Sequence, residues 1–196
     1  MDTVRYEFAE SLANLCKHLS EIGIDYDLKW HATSIIYLAR NELADHAINE
    51  NYDYVLWLDS DMSFTPDVFD LLYGLKVPFA TGCYRTRRPP YCFVMERADN
   101  PDLRIDKLPN DPFEIAACGF GMVLITKDTL YKVRANFQTC FTPTPSTGED
   151  YAFCNRWTKM GGKIICHPNA IADHITYVRL RCDDPHFIVD YQEKRG

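Results

Sequence analysis

Residues 54–61 read Tyr54-Val55-Leu56-Trp57-Leu58-Asp59-Ser60-Asp61, an apolar run followed by two carboxylates flanking one small residue. The run, bounded by Asp53 and Asp59, predicts a parallel strand covered on both faces. Thr65-Pro66-Asp67 then supplies a cap and a first-turn proline for a helix. Ligands of open α/β sheets bind at the carboxyl ends of strands, so Asp59 and Asp61 stand at the mouth of such a site. Both offer hard oxygens to Mg²⁺ or Mn²⁺, ions that keep waters and are completed by substrate phosphates. A lone strand-end aspartate commonly caps a turn; two around a single serine point to a metal-and-phosphate site.

Upstream, Val4, Phe8, Leu12, Leu15 and Leu19 recur at helical spacing until Gly23, Asp25 to His31 reads as extended, and Ile35 to about Asn51 reads as a second helix. Downstream, a short helix over 66–74 leads to a strand at Val77 to Cys83. This strand-helix-strand alternation predicts a mainly parallel sheet in an α/β fold. Ile115 to Cys118 and Met122 to Ile125 read as strand pieces around Gly119-Phe120-Gly121, and Lys127 to Val133 as a short helix. Residues 97–112 and the proline-containing stretch 139–148 read as loops, the latter mobile. Glu149-Asp150 opens a helix reaching Met160, where a helix dipole favours carboxylates. Two last strands are expected at Lys163 to Cys166 and Ala170 to Ile175, before a polar tail.

At 196 residues the chain suits a single domain, residues 1–196, and shows neither an internal repeat nor a linker. A net charge of −7 argues against a broad electrostatic grip on nucleic acid. No apolar stretch is long enough for a transmembrane segment, and the first residues lack the order of a signal peptide, so a cytoplasmic protein is expected. The cysteines at 16, 83, 92, 118, 140, 154, 166 and 182 form no C-x-x-C pair and read as reduced core residues. Oligomeric state is not legible.

In chain order, Ala39-Arg40-Asn41 precedes the Asp59-Ser60-Asp61 strand, Gly119-Phe120-Gly121 follows, Gly148-Glu149-Asp150 leads into Asn155-Arg156-Trp157, and Asp173-His174 ends a late strand. Over roughly residues 35 to 177 this order resembles a GT-A glycosyltransferase of the family 2 type, of the small kind found in viruses and bacteria. The resemblance implies a Rossmann-like nucleotide-diphospho-sugar transferase fold. It also implies metal-dependent transfer from a nucleotide-diphosphate sugar to a carbohydrate or other hydroxyl acceptor, with inversion, in the cytoplasm, or the host cytoplasm for a viral protein.

On that resemblance Asp61 is the first metal ligand, with Asp59 sharing the ion or binding ribose or sugar hydroxyls, Ser60 between them in the donor site, and His174 completing the metal set. Asp150 would accept the acceptor's proton, with Glu149 as substitute. The plain alternative for this acidic pair is helix capping. Arg40 would approach the donor phosphates, and Arg85, Arg87 and Arg88 would hold phosphate or an anionic acceptor unless they are simply solvated. Gly121, with Gly119, would let backbone approach the donor or acceptor, or else mark a tight bend. Trp157 is expected in the core. The 139–148 loop would close over substrate and exclude water.

The family begins with a strand that lines the nucleotide-base pocket, and here the first family strand is expected to be missing, because the sequence opens on the following helix. Two other readings compete. A haloacid-dehalogenase-type phosphohydrolase would use Asp59 as nucleophile and Asp61 as acid/base, with Lys163 and Asp183-Asp184 as poor matches for its remaining residues. A noncatalytic nucleotide-sugar or glycan-binding module would keep the fold without turnover. No G-x-x-x-x-G-K-[ST] sequence supports a P-loop NTPase.

Overall fold

Helical spacing of Phe8, Leu15 and Leu19 buries one face of α1 (Tyr6–Glu21), and Gly23 ends the segment at φ +73°, a conformation strained for residues bearing a Cβ. The computed structural model describes residues 4–31, 33–100, 105 and 107–176; Cys182 and Asp183-Asp184 lie outside them. Four more helices follow: α2 (Ile36–Asn49), α3 (Asp67–Gly74), α4 (Lys127–Phe137) and α5 (Glu149–Lys159). The strands are β1 (Tyr54–Leu58), β2 (Met62–Phe64), β3 (Phe79–Cys83), β4 (Met95–Arg97), β5 (Phe113–Cys118), β6 (Met122–Thr126) and β7 (Ile164–His174).

Among the described residues the sheet runs β1-β6-β3-β7-β5-β4, with β2 pairing on β7 off this path. The expectation of a parallel β1 in a mainly parallel sheet is corrected. β1 pairs antiparallel with β6 from Tyr54↔Thr126 to Leu58↔Met122, and β3–β7 is the parallel pair among those described. β1 and β3 do run in the same direction, as the β1-α3-β3 alternation implies, but β6 inserts between them antiparallel to both. An apolar run reports two covered faces and is silent about a neighbour's direction.

Both faces are indeed covered, and alternate residues of β1, β3 and β6 enter different cores. Val55, Trp57, Phe79, Val123 and Ile125 pack with Ala44, Leu130, Val133, Phe153 and Trp157 from α2, α4 and α5. Leu56, Ala80, Met122 and Leu124 pack with Phe8, Leu15, Val68, Phe69 and Leu72 from α1 and α3. Three further differences from the sequence reading stand out. β2 and β4 are short strands that no periodicity announced, and α4 runs to Phe137. The two expected last strands are one, β7, whose register against β3 shifts between Thr81↔Cys166 and Cys83↔Ile171, the stretch that contains Pro168. Proline donates nothing to a ladder and is accommodated at such irregularities.

β3 is buried along its whole length. A Cβ on Gly82 would stand 2.0 Å from Met122 Cε and 2.5 Å from the Ala170 carbonyl oxygen, so β3 lies against β7 at a distance only glycine permits. Gly82→Ala is therefore expected to cost about 1–3 kcal/mol in urea unfolding. An unchanged midpoint would mean that the two strands separate freely.

Candidate active site

Arg40 projects from α2 with 5% of its surface exposed. Its Nη2 donates to Asp59 Oδ1 at 2.9 Å and its Nη1 to Glu149 Oε1 at 2.9 Å. The guanidinium carbon lies 5.3 Å from the centroid of the Phe120 ring, within reach of a cation–π attraction. Phe120 itself belongs to an aromatic cluster with Trp57, Phe79, Phe141 and Phe153. One buried cation thus fastens the end of β1 to the start of α5. The adjacent Asn41 accepts three bonds at Oδ1, from the Cys140 and Phe141 amides and the Thr139 hydroxyl. Arg156 donates to the Cys140 and Thr142 carbonyls, so the loop read as mobile is tied down at its beginning.

Asp61 and His174 meet because β2 pairs with the end of β7. Met62 is opposite His174, and the Ile175 amide donates to the Asp61 carbonyl at 2.8 Å. His174 Nε2 lies 3.4 Å from Asp61 Oδ2, and its Nδ1 lies 2.9 Å from the Arg85 carbonyl. A carbonyl only accepts, so Nδ1 carries a proton, and Nε2 facing the carboxylate donates to Asp61 when the ring is protonated on both nitrogens. Arg87 Nη1 donates to the same Asp61 oxygen at 2.8 Å. Arg85 is used differently, donating to the Tyr91 carbonyl and lying over the Phe93 ring.

Gly121 joins the two halves. Its carbonyl accepts from the Asp59 amide at 3.2 Å, and its own amide donates to the Tyr84 hydroxyl at 3.0 Å. A Cβ on Gly119 or Gly121 would fall 2.2 or 2.8 Å from Tyr84 side-chain atoms, so the need for glycine here comes from buried Tyr84. The Tyr84 ring also packs edge-on against His174, with centroids 5.4 Å apart. Tyr84, Asn41 and Arg156 received no role from the sequence. Asn41 carried a faint signal as a poor helix former inside a helix. Tyr84 carried another, following a strand and preceding the arginine run.

Burial pushes the Asp59 carboxyl above its ordinary range against the opposing pull of Arg40, although the side chain keeps 38% of its surface. Burial acts the same way on Asp61, but the His174 bond and the charges of His174 and Arg87 outweigh it and hold that carboxyl low. The bond to Asp61 raises His174 in turn. Asp150 is raised, first by burial and then by neighbouring Glu149, while its Oδ1 accepts from the Tyr151 amide at 2.7 Å. Ser60 is exposed beside Asp59, and Trp157 lies in the core, as expected. Among the described residues no three His, Cys, Asp or Glu side chains form a ready metal cage. Asp61 and His174 nevertheless pair a hard oxygen with an imidazole nitrogen, a mixed donor set that fits Mn²⁺ better than oxygen-preferring Mg²⁺, with the remaining positions left to phosphate and water. The phosphohydrolase arrangement is not supported, since Arg40 holds Asp59 and Lys163 pairs with Glu114.

No protein-family model matches the chain, and no curated protein matches it. Solved structures do. A197 from STIV superposes with a TM-score of 0.58 at 16% identity, covering 95% of this chain and 95% of its own. GalNAc-T7, crystallised with UDP, GalNAc and Mn²⁺, superposes with a TM-score of 0.55 at 13% identity over 91% of this chain. This chain spans only 37% of the GalNAc-T7 chain. At such identities the likeness establishes architecture. The chain has the GT-A fold, a central mixed sheet flanked by helices.

Removing Arg40 leaves two carboxylates facing a partly desolvated gap. Arg40→Ala is expected to lower unfolding free energy by about 2–4 kcal/mol, toward the lower part of the range for broken buried pairs because Asp59 keeps access to water. The triple change Arg40→Met, Asp59→Asn, Glu149→Gln is expected to restore most of that loss in chemical denaturation. If the triple variant is no more stable than Arg40→Ala, charge pairing is not what Arg40 contributes.

Proposed function

We propose that this cleft transfers a sugar from a nucleotide-diphosphate sugar to a hydroxyl of a carbohydrate or other acceptor, with inversion and with Mn²⁺ or Mg²⁺. The observation that carries this reading is the Arg40 bridge, which draws the Asp59-Ser60-Asp61 strand end and the Glu149-Asp150 helix start to one place. A fold relative crystallised with UDP, GalNAc and Mn²⁺ supports the same class of ligands. The chain would work as one domain in the cytoplasm, or in the host cytoplasm if it is viral. Among the described residues no helix is long and apolar enough to cross a membrane.

Asp61 and His174 would hold the cation. When bound, that ion would offset the negative charge growing on the leaving diphosphate as the glycosidic bond breaks. Asp59 has Oδ1 committed to Arg40 and would offer its other oxygen to the donor's hydroxyls or to the cation. Gly121 supports the donor site by carrying the Asp59 backbone, and exposed Ser60 borders it. Between the two carboxylates at the start of α5, Glu149 is occupied by Arg40, so the proton acceptor is Asp150. Its Oδ1 is held by the Tyr151 amide, leaving Oδ2 for the acceptor hydroxyl, and its raised affinity for protons makes it a better base than an ordinary aspartate.

Asp61→Ala is expected to abolish the Mn²⁺-dependent thermal shift produced by nucleotide sugars, because selective binding stabilises the native state by mass action. If the metal-dependent shift survives in that variant, the assigned cation site is wrong. Binding without turnover would instead identify a noncatalytic module, and phosphate release from simple phosphoesters a phosphohydrolase.

Asp150→Asn is expected to keep donor binding while slowing transfer by about 10²–10⁴-fold. Since Asp150 works ionised, kcat/KM should rise with pH through a midpoint above the ordinary value of 3.8, and this limb should vanish in the variant. The stability sign is opposite. A carboxyl with its folded pKa raised favours folding at low pH and loses that contribution as pH rises through the raised value. Asp150→Asn should therefore raise Tm at neutral pH by about 1–3 °C. A fall in both Tm and donor affinity would mark Asp150 as a helix cap alone.

A further inference from the structure

Arg87 stands between β3 and β4 in a loop closed by the Thr86 amide on the Cys92 carbonyl and the Tyr91 amide on the Arg88 carbonyl. From that rim its guanidinium reaches Asp61 Oδ2, the oxygen that also faces His174 Nε2. The Arg87 side chain is 49% exposed, whereas that of Asp61 is 21% exposed. Arg40 is the contrasting case, buried between two carboxylates as part of the framework. Arg87 comes in from solvent and spends its charge on the carboxylate best placed beside the histidine.

A carboxylate oxygen that accepts a guanidinium N–H has one lone pair engaged there, and a divalent cation brought to the same oxygen is repelled by the positive charge already in contact with it. Guanidinium and divalent cation are therefore competitors for Asp61 Oδ2. We propose that Arg87 is a displaceable counter-ion, neutralising Asp61 in the cation-free protein and leaving when a divalent cation binds. This inference rests on the reading of Asp61 and His174 as cation ligands. The chain itself thereby sets a threshold for the ion: a cation held between Asp61 Oδ2 and His174 Nε2 must first break the Arg87 pair, so its apparent affinity is lowered by the fraction of molecules in which that pair is closed.

The test is direct titration of the full chain with Mn²⁺ alone, reading free Mn²⁺ by electron paramagnetic resonance, for the wild type, Arg87→Gln, Asp61→Ala and Arg97→Gln. Arg97 pairs with Asp99 at the surface, so its variant controls for loss of one positive charge. Arg87→Gln is expected to bind Mn²⁺ about threefold to fivefold more tightly than the wild type, the upper part of the range for a part-exposed ion pair. Arg97→Gln should stay within about twofold, its charge being screened. Saturating Mn²⁺ should also raise the Tm of Arg87→Gln more than that of the wild type. Equal or weaker Mn²⁺ binding by Arg87→Gln overturns the competition and leaves the cation site standing. Binding by Asp61→Ala as tight as the wild type, or binding by none of the four proteins, overturns the site and the proposal together.

Discussion

The two ion pairs of Arg40 are the constraint on which the cleft depends. An arginine with 5% of its surface exposed has left most of its water behind, and that cost is recovered only while carboxylates stay in contact with it. Asp59 and Glu149 meet this demand at different nitrogens, from 19 and 109 residues away along the chain. Any displacement of α5 from the end of β1 would strand the cation, so these two elements are held in place by electrostatics as well as packing. Phe120 lies against the guanidinium and is fixed within the aromatic cluster, which ties the charged centre to the apolar layer under α4 and α5.

Within this frame neighbouring acids receive different environments. Asp59 is bound to a buried framework cation and burial raises its pKa, whereas Asp61 faces a histidine and a solvent-side arginine that hold its pKa down. The acids at the start of α5 divide similarly. Glu149 is engaged by Arg40, and Asp150 keeps one oxygen free beyond its bond to the Tyr151 amide. Two motifs that look symmetrical as letters thus each contain a fixed member and an available one, the kind of separation from which distinct chemical roles arise.

The helices and most strands were legible because their apolar spacing survives folding unchanged: Phe8, Leu15 and Leu19 do face one core, and Trp57 alternates with Leu56 and Leu58 between two. Strand direction was not legible, since covered faces look alike beside parallel and antiparallel neighbours. The Pro168 interruption suggested two strands because proline breaks a ladder locally, while the longer path of β7 is set by partners on both sides. At the site, charged residues in recognisable company could be picked out, but the side chains that hold them could not. Nothing in the letters reveals that Asn41 gathers three donors onto one oxygen, or that Tyr84 fills the space left by Gly119 and Gly121.

The mixed topology, unexpected from the sequence, is what makes the cleft possible. β1 and β3 run the same way, and β7 is parallel to β3, so Asp59, Tyr84 and His174 all follow or end strands at one edge of the sheet. A strand parallel to these would deliver its own carboxyl end there and carry its beginning to the far side. Because β6 runs antiparallel, its first residue, Met122, lies opposite Leu58, and Gly121 just before it accepts the Asp59 amide while donating to Tyr84. The reversal of β6 is thus the means by which a glycine at a strand's start comes to support a carboxylate at another strand's end. The short β2–β7 pairing repeats the device for Asp61, whose carbonyl accepts from Ile175 and whose side chain meets His174.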